Sequence, residues 1–137
     1  PMFGSGSDKL QPYTKDILRE LGQILNEVPN RISLSGHTDA VNYGDSKGYG
    51  NWELSTNRAN AARRELVTGG MSDEKTFRVV GLGSAAPLDK DNPVNPINRR
   101  ISIIVMNKET EASLLKEAGK EVNVDPEPPA KPTAAAH

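Results

Sequence analysis

The run Ser35-Gly36-His37-Thr38-Asp39 ends on a single carboxylate, and Asn51-Trp52-Glu53-Leu54-Ser55-Thr56-Asn57-Arg58-Ala59 carries a single guanidinium a few residues into the next segment. This pairing suits a small ligand that bears an ammonium and a carboxylate together. A carboxylate accepts charge-assisted hydrogen bonds from an ammonium, and a guanidinium presents a planar fork that matches a carboxylate. Asn98-Arg99-Arg100 adds a basic cluster immediately before an apolar run. The same acid and base also fit a structural ion pair, and the residues alone leave both readings open.

Other chemistries find less support in the sequence. His37 stands two residues from Asp39, which fits a metal or acid–base site, but the second histidine of the chain is His137 at its far end. A hydrogen-bonded turn histidine is the plainer reading. Arg99 and Arg100 suit contact with an anionic polymer as well as ion pairing within a sheet. Gly81-Leu82-Gly83 lacks the lysine and helix of a phosphate loop and reads as a turn. A hydrolase needs paired carboxylates, a metal set or an activated nucleophile, and Ser33 and Ser35 have no recognisable histidine and acid arranged around them. The expectation is therefore a binding protein, not an enzyme, with no cofactor and no metal.

Composition sets the outer bounds. The 137 residues, 26% charged and 35% hydrophobic, suit one modest core with loose ends. A net charge of −1 and 4% aromatics argue against a nucleic-acid surface. The absence of cysteine removes disulfides and thiolate sites without deciding the compartment. No stretch approaches the ~20 apolar residues of a membrane span. Any export signal or anchor is expected upstream of Pro1.

The elements that must hold these residues follow from periodicity. Residues 1–9, with Met2-Phe3 ahead of Gly4-Ser5-Gly6-Ser7, read as a short extended piece and flexible linker. Tyr13, Ile17, Leu21, Ile24, Leu25 and Val28 recur at helical spacing and predict an amphipathic helix over 10–28 that ends at Pro29. Alternation over 31–35 predicts a half-buried strand reaching Gly36-His37, and residues 40–50 a loop. A second helix is expected over 51–68, stopped by Gly69-Gly70, and a strand over 77–80. The dense apolar run 100–106 predicts a strand at an inner position of the sheet, after a loop punctuated by Pro87, Pro93 and Pro96. Residues 108–117 fit a last helix, and the chain from 119 to 137 a Pro/Ala-rich disordered tail. The order βαβαβ(loop)β implies an α/β (α+β) two-layer sandwich, with helices on one face of a mixed sheet.

Taken together, Gly36-His37-Thr38-Asp39, Asn51, Leu54-Ser55, Arg58-Ala59, Gly81, Gly83, Pro87 and Asn98-Arg99-Arg100 resemble the OmpA-like peptidoglycan-binding domain family over roughly residues 32–106. Pro1 to Ser7 is similar to the segment that precedes this domain in flagellar motor stator subunits. The resemblance implies a domain spanning 10–118 that binds the diaminopimelate-containing stem peptide of peptidoglycan. Its ligand-contacting positions fall on Asp39 and Arg58 and its supporting positions on Thr38, Asn51 and Leu54, with His37, Arg99 and Arg100 as further support. It also implies a homodimer in the periplasm, joined by an upstream segment to the inner membrane and to a MotA-type stator subunit, with P-ring proteins as further partners and a role in motility and chemotaxis. The insertion Val41 to Tyr49 is longer than in many members and is placed to reshape the site. The Gly-Ser start and first helix are expected to rearrange when such an anchor engages. A periplasmic protein–protein module without wall binding remains the second reading.

Overall fold

The computed structural model describes residues 2–41 and 50–119, so most of the 40–50 loop and the chain beyond 119 lie outside it. The chain divides into two compact units, Pro1–Asn107 and Lys108–His137. The first unit holds helices α1 (Pro12–Leu25) and α2 (Asn51–Thr68) and strands β1 (Ile32–His37), β2 (Thr76–Gly81) and β3 (Arg100–Val105). The second holds helix α3 (Lys108–Ala118), which the sequence reading had grouped with the domain.

The sheet is mixed, in the order β2-β1-β3. β1 runs parallel to β2 and antiparallel to β3, with Gly36 opposite Gly81 on one side and His37 opposite Arg100 on the other. β1 is therefore the inner strand, and all six of its residues are buried. The expectation that the 100–106 run lies inside the sheet fails, because β3 is an edge strand with Ile104 and Val105 about half exposed. Ile101 and Ile103 meet the core, whereas Ile104 and Val105 are apolar yet remain near solvent. A continuous apolar run therefore does not by itself fix a strand's rank in the sheet.

α2 lies on β1 and β2, and α1 packs on α2. The paired glycines of β1 and β2 make this approach possible. A Cβ at Gly36 would fall 1.9 Å from the Ser55 carbonyl oxygen, and one at Gly81 2.1 Å from Thr56 Oγ1. Two bare backbone positions side by side thus seat the first turns of α2 on the strand ends. The core gathers Leu18, Leu25, Ile32, Leu34, Ala59, Ala62, Leu66, Met71 and Ile101.

Two further expectations change. The residues read as a linker belong to the packed unit: Phe3 is wholly buried in the core and forms an isolated antiparallel bridge with Leu10. The face of α1 that enters the core is Thr14, Leu18, Gly22 and Leu25, whereas Tyr13, Ile17 and Ile24 of the expected apolar stripe are more than half exposed. Helical spacing identifies an apolar stripe but does not say which of two adjacent stripes meets the protein.

Candidate functional site: the end of strand β1

The carboxyl end of β1 carries the sequence-predicted residues into one place. Asp39 is 1% exposed, and both its oxygens are occupied: Oδ1 accepts the Val41 backbone N–H at 3.1 Å and Oδ2 accepts Arg99 Nη1 at 3.0 Å. The register explains the ion pair. With His37 opposite Arg100, the residue before β3 lies beside the turn that leaves β1. Arg99 also donates its Nε to the Phe3 carbonyl at 2.9 Å.

Arg58 projects from the second turn of α2 and is wholly buried. Its fork is bound to backbone carbonyls: Nε donates to Ser7 at 2.8 Å, Nη1 to His37 at 3.0 Å and Nη2 to Gly4 at 3.1 Å. The Phe3 ring lies 4.9 Å from the guanidinium carbon. Arg58 and Arg99 therefore both hold carbonyls of the N-terminal segment. Sequence reasoning picked Arg58 but missed the Phe3, Gly4 and Ser7 carbonyls, since main-chain acceptors leave no residue-type signal.

The supporting residues are close by. Thr38 is buried and donates its N–H to the Gly83 carbonyl at 2.9 Å. Asn51 opens α2 and donates Nδ2 to the Val41 carbonyl at 3.0 Å. Leu54 is buried on the next turn. Ser55, which the sequence reading treated only as part of a motif, ties the two layers: its Oγ accepts Gly83 N–H and donates to the Trp52 carbonyl, both at 2.9 Å. Glu53 accepts the Gly50 N–H at 2.7 Å and so closes the start of α2.

His37 is buried, and neither ring nitrogen has a partner among the described residues. The same holds for Thr38 Oγ1 and Arg100 Nε. Burial, followed by the charge of Arg100, pulls the His37 pKa down to about 4, so the imidazole is neutral at physiological pH. The described residues gather no group of three or more His, Cys, Asp or Glu side chains suited to a metal ion.

A profile of the OmpA family matches residues 2–100. The chain belongs to the OmpA family. Motility protein B of Escherichia coli (strain K12) is 50% identical over 124 residues, which is 90% of this chain and 40% of that protein. This OmpA-family domain thus spans less than half the length of that curated relative. Among solved structures, the peptidoglycan-associated lipoprotein from Burkholderia pseudomallei superposes with a TM-score of 0.62 at 29% identity, over 77% of this chain and 87% of that one. The C-terminal domain of Helicobacter pylori MotB superposes at 0.65 over 88% and 95%, and at 19% identity it shares the fold.

The β2–β3 connection, expected as a loop punctuated by prolines, is a loop tied by side-chain hydrogen bonds and holds one short 3-10 turn, Pro96–Asn98. Asn98 is buried at its base: Oδ1 accepts Asp89 N–H, and Nδ2 reaches the carbonyls of Asp89, Asn92 and Pro93. Asn95 donates to Asp89 at 2.7 Å, and this bond, with the N–H groups of Asn92 and Asp91, holds the Asp89 carboxyl below its usual range. The loop borders a cleft of about 400 Å³ walled by Met2, Leu88, Pro96 and Ile97. Arg99 and Arg100 line that cleft, whereas Asp39 and Arg58 do not. No helix among the described residues is long and apolar enough to cross a membrane.

Proposed function

We propose that this domain binds peptidoglycan noncovalently through the free end of diaminopimelate in the stem peptide, and that it thereby anchors a flagellar motor stator to the cell wall. The observation that carries the reading is the enclosure of Asp39 and Arg58 together at the end of β1, an acid and a base far from bulk water. Charge-assisted hydrogen bonds gain strength in such a site. Asp39 takes the ligand's ammonium and Arg58 its carboxylate. Thr38, Asn51, Leu54 and the neutral His37 shape the walls, and Arg99 and Arg100 hold the surrounding charge. No covalent step is involved, and the domain acts as a mechanical tether.

Both charged groups are covered in the structure, so engagement is an exchange. The ligand carboxylate replaces the Gly4 and Ser7 carbonyls on Arg58 when the N-terminal segment yields. In the longer protein that segment leads toward the inner membrane and a MotA-type subunit, and the domain faces wall and P-ring proteins as a periplasmic homodimer. Similarity to Motility protein B supports this placement.

Co-sedimentation of the 137-residue chain with purified sacculi tests the reading, comparing it with Asp39→Asn and Arg58→Lys after thermal melts show that all three fold. The expected result is loss of bound protein in the folded variants. Equal binding by all three moves the site elsewhere, and no binding by the parent favours the protein–protein module. Trp52, the single tryptophan, is 61% exposed beside Asn51, so its fluorescence follows binding of a purified muropeptide directly.

A further inference from the structure

α1 has two apolar stripes, and only one of them is buried in the fold. Leu18, Gly22 and Leu25 face inward. Tyr13, Ile17 and Ile24 are 56%, 60% and 60% exposed, and Val28, just past the helix end, is 37% exposed. At 3.6 residues per turn these four positions fall within an arc of about 60°. Large apolar side chains in one continuous row on a soluble surface mark a contact site more often than a scatter of single residues does.

The border of this row has a sign. Asp16, Glu20 and Glu27 follow its edge, are exposed, and form no ion pair with the described residues. The nearby cations are turned elsewhere: Arg19 pairs with Glu65 across the helix interface, and Lys75 donates to the Val28 carbonyl. An apolar seam beside an acidic row complements an amphipathic helix with a seam of its own and a lysine or arginine row at its edge. A second copy of this chain would bring another acidic border and no basic row to meet it. An anionic lipid surface would be repelled by the same carboxylates.

We propose that the outer face of α1 is a docking surface for a basic amphipathic helix of a partner protein. The surface is separate from the end of β1 and does not depend on wall binding.

The test uses two synthetic helices of about five turns with the same leucine seam, one bordered by lysine and the other by glutamate, titrated into the isotope-labelled 137-residue chain. The lysine helix is expected to bind about tenfold more tightly than the glutamate helix, to weaken with added salt, and to shift the amides of residues 12–28. Ile17→Ser/Ile24→Ser should abolish binding while leaving the melting temperature and sacculus binding unchanged, since both side chains are already exposed. Asp16→Lys/Glu20→Lys/Glu27→Lys should reverse the preference between the two helices. Failure of the lysine helix to bind, equal binding of both helices, or shifts confined to other elements would overturn the proposal. Sedimentation showing a dimer that Ile17→Ser/Ile24→Ser dissolves would assign the face to a second copy and would also overturn it.

Discussion

At the scale of single residues, the end of β1 concentrates charge where water is excluded, and the consequences are measurable. Asp39 depends on Arg99, so Arg99→Met strands a buried carboxylate and should cost about 3–5 kcal/mol. Asp39→Leu in the same chain should recover part of that loss, and a double-mutant cycle by urea unfolding gives the coupling. Additive losses would show that the pair acts independently. His37 has the opposite problem. Its folded pKa of about 4 lies below the unfolded 6.5, so the fold disfavours the imidazolium. Its contribution is fully present above pH 6.5 and is lost as pH falls toward 4. His37→Gln should flatten that part of the stability–pH curve, and an unchanged slope would assign the acid sensitivity to other groups. Residue type and the family resemblance made Asp39 and Arg58 legible as candidates. Their immediate partners were not, because Asp39 pairs with a residue 60 positions away and Arg58 with main-chain oxygens.

Elements were legible where their signal is local. The two long helices and three strands lie close to where periodicity put them, since side-chain spacing of 3.6 or 2 is written in adjacent residues. Their partners were less so. The edge position of β3 and the choice of inward stripe on α1 depend on what packs against each, and α2 decides both the seat and the depth. The paired glycines Gly36 and Gly81 give that seat a sharp test. Gly36→Ala places a methyl group 1.9 Å from a backbone oxygen of α2, which cannot swing aside as a side chain would. The helix must lift, at an expected cost of about 2–3 kcal/mol or more, and Arg58 moves with it. Urea unfolding measures the cost, and muropeptide binding followed by Trp52 fluorescence reports the displaced site. Unaltered stability would mean that α2 sits farther from the sheet.

For the molecule as a whole, the N-terminal segment is the part whose role changed most between sequence and structure. Its glycines and serines look like slack, yet Phe3 fills the core and three carbonyls of the segment, those of Phe3, Gly4 and Ser7, hold Arg99 and Arg58. Phe3→Ala should therefore lower stability by about 3–5 kcal/mol, as loss of a buried aromatic does. At temperatures where the variant remains folded, it should also bind muropeptide more readily than the parent, because the cover over Arg58 is loosened. Weaker binding in the folded variant would show that the segment builds the site and does not cover it.

The sequence by itself determined the secondary-structure elements and the family resemblance, because each rests on short-range spacing of residue types. Only the tertiary structure decided that β1 is the inner strand, that Arg99 neutralises Asp39, that the first residues close over Arg58 and that one apolar stripe of α1 stays outside. Those outcomes depend on contacts between residues far apart in the chain and on backbone groups common to every residue, neither of which local pattern encodes.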